Sequence, residues 1–429
     1  MTSTPDPRQV LTALGIPDAF QGDPQLWAEA MAALPPTADI PFLNPTTLPR
    51  YLAKVGLPPQ RLSPLQSVIN LIVADPNLTA YAWYLYWRVF LTPEQGAPWG
   101  APDLTTRLAD LSGALYLLVA LEFIPALTAW HRKLGYSASV TDETLRQLSC
   151  FEWYHLNGTG LPGLYPRHLM WLNCYLTAPY VRLGRFEYQM QPYSGQTEVW
   201  HRAADNQLVA LAPPDLHVTP QGLITAAPSP DHTTWLTSRH TTASQASGYP
   251  IHPSGHIINH LIHLNRPEWS PLLRKESTIL NMHIPAGGSM NWDAVSDSFR
   301  RAEAFFTRHH PDKPLIGSVM GTWFLDPQLN RLLPATANPL QFQRACYLFP
   351  TPPAPGGLWF IFQRDIATTP PHQLPQKTSI QRTLANFLAK GGQWHGGAMF
   401  IPFFEMKQLQ ENRYTSRFNS LYPDFSNYL

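Results

Sequence analysis

The stretch Thr278-Ile279-Leu280-Asn281-Met282-His283-Ile284-Pro285-Ala286-Gly287-Gly288 decides the fold of the second half of the chain. Its apolar part ends at a proline and two glycines, which is typical of a strand that runs into a tight turn. Asn291 then predicts a helix N-cap, and apolar residues follow at helical spacing: Val295, Phe299, Ala302 and Phe306. A second apolar segment, Leu315 to Leu325, completes a strand, turn, helix and strand. Free backbone N–H groups at such a helix start suit a phosphate, so the stretch predicts a nucleotide-bearing cofactor.

Composition limits the classes of protein that fit the chain. Its 429 residues are enough for two or three domains, and its 45 prolines predict long connections. The net charge is +1 and no dense block of Lys and Arg is present. We therefore expect no nucleic-acid partner.

The sequence also predicts a cytoplasmic protein with no membrane partner. The N-terminus lacks the basic and apolar regions of a signal peptide. The most apolar segment, Leu111 to Trp130, contains Glu122 and Pro125, which favours a buried helix over a membrane span. The three cysteines match no metal-binding or disulfide spacing and are expected as reduced thiols: Cys150, Cys174 and Cys346.

Helix signals dominate residues 1–160, which we predict as one helical domain. Asp23-Pro24 and Asp75-Pro76 each predict a capped helix start, with the second helix running from Leu78 to Leu91. Residues 161–429 form the second predicted domain, with a long loop excursion at about 213–253. The predicted fold class is therefore α+β.

Strand signals begin at Tyr180 to Met190 and alternate with helix signals toward the C-terminus. We predict the other strands at Thr197–Arg202, Gln207–Leu211, Phe342–Phe349 and Leu358–Arg364. Short helices are predicted at Asp326–Leu333 and Ser379–Lys390. This order, from antiparallel strands through a glycine turn and helix to further strands, is the order of the Gcn5-related N-acetyltransferase (GNAT) fold.

A run of histidines lies next to the excursion. His252, His256, His260 and His263 raise the possibility of a zinc site, since histidines four residues apart on a helix can bind zinc. Gly255 argues against a continuous helix, and no His-Glu-x-x-His arrangement is present. A polar strand or loop is the preferred interpretation, and no metal is predicted.

Four segments in the same order resemble a bacterial family of two-domain acyltransferases. They are Leu183–Gln189, His283–Gly288, Ser298–Phe306 and Trp323–Pro327. The resemblance implies an N-acyltransferase N-terminal domain followed by a GNAT-like C-terminal domain with a mixed sheet. It also implies direct transfer of an acyl group from acetyl-CoA or another acyl-CoA, used as co-substrate, to an amine of a small molecule or peptide.

The resemblance and the residues themselves together give candidates for the two halves of this reaction. Cofactor binding is predicted for Ile284, Ala286, Gly287, Gly288, Ser289, Met290, Arg300 and Arg301. Catalytic roles, as base, substrate anchor or proton donor, are predicted for His283, Glu187, Asp326 and Tyr347. Simpler interpretations stay open: a structural turn, a buried histidine, a carboxylate paired with arginine, a helix cap, surface arginines and a core tyrosine.

Rival functions also stay open. A non-catalytic acyl-CoA or small-molecule binding module would keep the turn without a competent base. An interaction protein would keep only the fold, and a metal-dependent hydrolase would use the histidine run.

Overall fold

The computed structural model describes residues 5–16, 22–95, 102–228 and 233–425. The chain divides into two compact units. The first unit extends to Leu183 and includes the short segment Ile284–Gly288. The second unit consists of Gly184–His283 and the chain from Ser289 onward.

The first unit is helical. Its α-helices are α1 (Pro7–Ala13), α2 (Pro24–Ala32), α3 (Leu48–Val55), α4 (Leu62–Ala74), α5 (Pro76–Tyr86), α6 (Thr105–Leu108), α7 (Ser112–Ala120), α8 (Phe123–Lys133), α9 (Ala138–Leu145), α10 (Gln147–Thr159), α11 (Pro166–Trp171) and α12 (Cys174–Thr177), and strand β1 (Tyr180–Leu183) follows them. A π-helical turn, Trp87–Leu91, continues α5. The predicted helix from Leu78 to Leu91 is thus present.

Two of these helices begin as the sequence predicts. The Asp23 carboxylate accepts from the Gln25 amide at 2.8 Å before α2, and the Asp75 carboxylate accepts from the Asn77 amide at 2.9 Å before α5. Each carboxylate satisfies one of the amides that a helix start leaves without a partner, and proline occupies the first helical position.

The most apolar segment forms α7 and α8 and lies inside the first unit. All nine residues of α7 are buried. The helical stretch Thr105–Lys133 is long and apolar enough to cross a membrane, but 78% of its most apolar window is buried by the rest of the protein. The prediction of a buried helix at Leu111 to Trp130 is confirmed. Burial also raises the pKa of Glu122, in the same stretch, to about 7.

The second unit combines strands with a few helices. Its strands are β2 (Phe186–Pro192), β3 (Glu198–Arg202), β4 (Gln207–Leu211), β5 (His217–Val218), β6 (Ile224–Thr225), β7 (Trp235–Leu236), β8 (Arg239–Thr241), β9 (Gln245–Gly248), β10 (Pro250–His252), β11 (His256–Ile257), β12 (Ile262–Asn265), β13 (Trp269–Leu273), β14 (Thr278–His283), β15 (Gly317–Thr322), β16 (Tyr347–Pro350) and β17 (Gly397–Pro402). Its α-helices are α13 (Trp292–His309), α14 (Leu329–Leu332), α15 (Asn338–Arg344), α16 (Trp359–Phe362), α17 (Ser379–Ala389) and α18 (Arg413–Leu421).

A mixed central sheet organises this unit. Its strands follow the order β2, β14, β15, β17, β16. Strand β14 pairs antiparallel with β2 along its whole length, from Thr278 opposite Pro192 to His283 opposite Glu187. Strand β15 is parallel to β14 and antiparallel to β17, which is antiparallel to β16. The structure confirms the predicted α+β class with a mixed GNAT-like sheet.

The two faces of the central sheet are both covered. On one face the Phe299 ring of α13 lies 5.6 Å from the Phe186 ring and 6.1 Å from the Tyr188 ring, measured between centroids. The opposite face packs against a second sheet of order β11, β10, β4, β3, β13, with a shared core that includes Ile279 and Phe400. Side chains alternate between faces along a strand, so β14 contributes to both cores.

The excursion at 213–253 differs from the predicted long loop. Outside residues 229–232, which the structure does not describe, it contains the short strands β5 to β10. The Thr237 hydroxyl fixes part of it, donating to the Pro213 carbonyl at 2.7 Å and accepting from the Leu216 amide at 2.9 Å. Segments held by polar side-chain hydrogen bonds need no alternation of apolar and polar residues in the sequence. Because that alternation is the signal for a strand, the sequence predicts a loop here.

One late strand prediction is correct only at its end, and another is wrong. The segment Phe342–Phe349 is the end of α15 followed by β16, and Leu358–Arg364 contains α16. Leu358 and Phe362 lie four residues apart and are both buried in one cluster with Leu384, which is helical packing. Short apolar runs do not distinguish helix from strand.

Other late elements agree with the sequence. Helix α17 begins at a complete capping box formed by Thr378 and Gln381, and α14 occupies the predicted Asp326–Leu333 segment. Strand β17 and helix α18 were not predicted.

The first unit extends beyond the predicted domain boundary at residue 160. Helices α11 and α12 follow that boundary, and their neighbourhood contributes Leu169, Leu172 and Tyr175 to the helical core. Because these side chains are buried among helices, the chain leaves the helical unit only after β1.

Candidate active site

The segment between β14 and α13 is an exposed turn. Gly287 and Gly288 have φ angles of 73° and 76°, in the left-handed region that glycine enters at little cost. A Cβ atom at Gly287 would meet no other atom within 4 Å. The turn is fixed from one side by Cys150, whose thiol lies 3.3 Å from the carbonyl oxygen of Ala286. Glycine is thus required here for conformation and not for close packing.

The amide groups of this turn are suited to binding an anion. Within the described residues, the N–H groups from Ala286 to Met290 donate to no protein group. Asn291 caps α13 by accepting from the Ala294 amide at 2.9 Å, and its own amide donates to the Ser289 hydroxyl at 3.1 Å. The partial positive charge at the start of an 18-residue helix adds to this arrangement. Pro285 has no N–H, so the donors begin at Ala286.

A gap opens between the ends of β14 and β15 in the second unit. Their parallel pairing is limited to Leu280 with Ser318 and Asn281 with Val319, although β14 continues to His283 and β15 to Thr322. Over those last residues β14 keeps its pairing with β2, and β15 keeps its pairing with β17. Successive N–H groups of a strand point to opposite edges, so one of the two amides of Met282 and His283 faces the gap. An extended chain fits such an opening.

The structure places two predicted catalytic residues side by side. His283 and Glu187 are direct partners across β14 and β2, so their side chains share one face of the sheet. The Glu187 side chain is buried. The Asn281 side-chain amide lies 3.0 Å from Nε2 of His283, and burial lowers the pKa of this histidine to about 4. His283 is therefore a neutral imidazole whose Nε2 accepts a hydrogen bond.

The contacts of Asp326 indicate that its carboxylate holds backbone segments in place. Its carboxylate accepts hydrogen bonds from the backbone amides of Gln328, His395 and Gly396 at 2.9, 2.9 and 3.1 Å. The side chain is fully buried, and burial raises its pKa despite these bonds. The bond from the Gln328 amide closes a turn just before α14, although Gln328 and not Asp326 is the N-cap of that helix, and the same carboxylate holds the chain that enters β17.

Tyr347 lies away from β14, on strand β16, three strands or about 14 Å across the sheet. Its hydroxyl donates to the Ile251 carbonyl at 2.6 Å and accepts from the Ala210 amide at 3.1 Å. The phenol joins the central sheet to the second sheet. The structure supports the core interpretation of Tyr347 and gives it no position beside His283.

The two arginines of α13 lie along the helix and not at its start. Arg300 and Arg301 follow Trp292 by eight and nine residues, which corresponds to about 12 to 14 Å along the axis. The Arg300 guanidinium is exposed and pairs with Asp297. A Cβ at Gly184 would lie 3.2 Å from Nη1 of Arg301, so this side chain covers the turn before β2. Both arginines thus lie away from the turn along the helix, and their contact with cofactor phosphates stays a prediction.

The histidine run forms a strand hairpin, as the preferred interpretation expected. His252 on β10 pairs with His256 on β11. Within the described residues no group of three or more His, Cys, Asp or Glu side chains is placed to hold a metal ion.

Comparisons with known proteins agree with this geometry. The model of the GNAT-like C-terminal domain family matches residues 180–400, more than half of the chain. The chain belongs to this GNAT-like family. The model of the N-acyltransferase N-terminal domain matches residues 46–177, so this GNAT-like acyltransferase has both domains that its sequence predicted.

Solved structures show the same fold. An acyltransferase in complex with CoA and 10C-teicoplanin matches at a TM-score of 0.61 and 20% identity, over 93% of this chain and all of the other. An acyltransferase mutant in complex with octanoyl-CoA gives the same TM-score and identity, over 93% of this chain and 99% of the other. An acyltransferase in complex with decanoyl-CoA and teicoplanin matches at a TM-score of 0.59 and 21% identity, over 93% of this chain and all of the other. No curated protein matches the sequence.

Two features of this GNAT-like acyltransferase were missed in the sequence. Asn281 orients His283 from two residues earlier on the same strand. Gly321 lies on the part of β15 that does not pair with β14; it is exposed and has no neighbour within 4 Å of its Cβ position. The period-two spacing of Asn281 and His283 was a usable signal, because both must point to one face of the sheet.

Proposed function

We propose that this protein transfers an acyl group from an acyl-CoA to an amine of a small-molecule or peptide-like acceptor. The observation that supports it most strongly is the pairing of two features on one connected segment: unused amides at Ala286–Met290 and the opening between β14 and β15. The amides suit the diphosphate of CoA, and the opening suits its extended pantetheine arm.

The reaction needs few groups from the protein. The acceptor ammonium loses a proton, the amine nitrogen attacks the thioester carbonyl, and the C–S bond breaks to release CoA as a thiolate that takes up a proton. A backbone N–H at the edge of the gap stabilises the oxyanion that forms during attack. Because the Nε2 lone pair of His283 is engaged by Asn281, the proton of the neutral ring is on Nδ1, and we propose that the Glu187 carboxylate takes the ammonium proton while the neighbouring His283 helps to position the acceptor.

The structural neighbours guide the choice of substrates. They were solved with octanoyl-CoA, decanoyl-CoA and teicoplanin. We therefore propose a medium-chain acyl donor and an amine-bearing peptide-like acceptor for this chain. A cytoplasmic location and a bacterial source remain predictions from the sequence, and the three cysteines are free thiols, as a reducing compartment requires.

Two linked assays test this function. Isothermal titration with CoA, acetyl-CoA and octanoyl-CoA measures donor binding, and release of free thiol measures transfer in the presence of a panel of amines. We expect binding together with acceptor-dependent thiol release. Binding of CoA species without release of thiol would indicate a non-catalytic CoA-binding module. Absence of binding to every CoA species would overturn the proposal.

A variant at the gap gives a structural control. Gly321→Leu places a side chain at the edge of the opening and is expected to weaken octanoyl-CoA binding at least tenfold. Gly356→Leu is its match, since Gly356 is also exposed and has no neighbour within 4 Å of its Cβ position. Equal donor affinity in both variants would show that the gap does not receive the cofactor.

A further inference from the structure

A cavity lies in the second unit, beside the edge strand β16. Its volume is about 420 Å³. It is lined by the β10–β11 hairpin, by α14 and α15, and by the chain around the start of α18. Strand β16 is three strands away from β14, so this cavity is separate from the gap proposed for CoA.

A chain of hydrogen bonds at the hairpin fixes the proton positions of two histidines. The Ser254 amide lies 3.2 Å from Nδ1 of His252, and a backbone N–H can only donate. Nδ1 of His252 is therefore an acceptor, and the Ser254 hydroxyl, 2.6 Å away, donates its proton to the same atom. Nε2 of His252 carries the ring proton and faces the side-chain oxygen of Asn419 at 3.3 Å.

This arrangement leaves one bare nitrogen in the cavity wall. The Ser254 oxygen lies 3.1 Å from Nδ1 of His256. Because the hydroxyl proton is already directed to His252, Nδ1–H of His256 donates to Ser254, and its Nε2 has a free lone pair. Among the described residues Nε2 has no hydrogen-bond partner, and His256 is only 8% exposed, yet it lines the cavity. Burial lowers the pKa of His256 to about 4, so the ring stays neutral.

Two arginines supply positive charge to the same cavity. Arg331 forms no hydrogen bond or ion pair with any described residue through its guanidinium, and it is close enough to lower the pKa of His256 by its charge. Arg344 donates to the Ala335 carbonyl at 2.9 Å and lies 4.0 Å from a Glu411 carboxylate oxygen. The wall therefore places two cationic side chains in the same cavity as the bare Nε2 of His256.

We propose that this cavity binds a small hydroxycarboxylic acid, with its carboxylate held by Arg331 and Arg344 and its hydroxyl donating to Nε2 of His256. An arginine provides paired donors that match a carboxylate. A ligand hydroxyl satisfies the bare Nε2, which a plain carboxylate does not. This binding site is additional to the acyl-transfer site and does not depend on it.

The test compares acids that differ only in one hydroxyl. Isothermal titration of the full chain uses malate against succinate, and citrate against tricarballylate, each repeated with CoA present. We expect each hydroxy acid to bind about threefold to tenfold more tightly than its partner, the range for one net hydrogen bond. CoA should leave these affinities unchanged, and competition by CoA would overturn the proposal.

Two variants separate the contributions. Arg331→Gln, at an exposed side chain, should weaken all four acids about tenfold and keep the preference for the hydroxy acid. Ser254→Ala removes the group that fixes the His256 ring and should reduce the preference to about onefold while succinate binding stays. Failure of every acid to bind at millimolar concentration, or unchanged affinity in Arg331→Gln, would refute the site.

Discussion

Replacement of Gly287 by alanine tests whether the turn before α13 binds CoA through its backbone. The φ angle of this residue is 73°, and its Cβ would enter open space, so the variant changes the conformational preference alone. A non-glycine residue pays about 1 to 2 kcal/mol for the left-handed conformation. An exposed turn can relax in the free protein but must return to this conformation to direct its amides at the diphosphate. Because 1.4 kcal/mol is tenfold, the dissociation constant for CoA should rise about fivefold to thirtyfold.

Gly56 provides a matched control for this variant. It also has a φ of 73° and no atom within 4 Å of its Cβ position, but it ends α3 in the helical unit. Gly56→Ala should lower the melting temperature and leave the CoA dissociation constant unchanged in isothermal titration. Gly287→Asn should recover part of the affinity, since asparagine tolerates the left-handed region. A change below twofold in Gly287→Ala, or an equal change in Gly56→Ala, would refute the reasoning.

Four further predictions follow from the positions of single side chains. His283→Gln should lower kcat about a hundredfold in the thiol-release assay, and no step from this histidine should appear in the wild-type pH profile between pH 6 and 8, since its pKa is about 4. A rate loss below threefold would remove His283 from the reaction. Arg300→Gln should change CoA affinity by less than twofold, because this exposed side chain pairs with Asp297, and a tenfold loss would show that it reaches the cofactor. Tyr347→Phe leaves the buried Ala210 amide and Ile251 carbonyl without this partner, so the free energy of unfolding in urea should fall by about 1 to 3 kcal/mol while kcat stays unchanged. A fall in kcat would instead show that Tyr347 acts in catalysis. Glu122→Gln should stabilise the fold by about 1 to 3 kcal/mol at pH 8 and little at pH 5, because the folded pKa of about 7 exceeds the ordinary 4.5 and stability is lost as pH rises through that interval. Equal stabilisation at both pH values would contradict this assignment.

Local signals in the sequence predicted the elements that frame the candidate site. The Asn291 cap, the two glycines and the apolar spacing of α13 each depend on residues within a few positions of one another. For the same reason the capped starts of α2 and α5 were predicted correctly. Such patterns are set by backbone hydrogen bonding and need no knowledge of distant partners.

The remaining features depend on residues far apart in the sequence. The gap exists because β14 and β15 stop pairing after Asn281 and Val319, and no local pattern records where two strands separate. Tyr347 resembles any strand tyrosine until the second sheet supplies Ile251 and Ala210 as partners. The sequence predicts a strand where Trp359–Phe362 is helical, because the burial of this segment against α17 is also a long-range effect.

A structure of the protein with CoA bound tests the central claim most directly. The account predicts diphosphate oxygens within hydrogen-bond distance of backbone amides between Ala286 and Met290, with the pantetheine arm between β14 and β15. A diphosphate bound elsewhere, with those amides facing solvent in the complex, would contradict it.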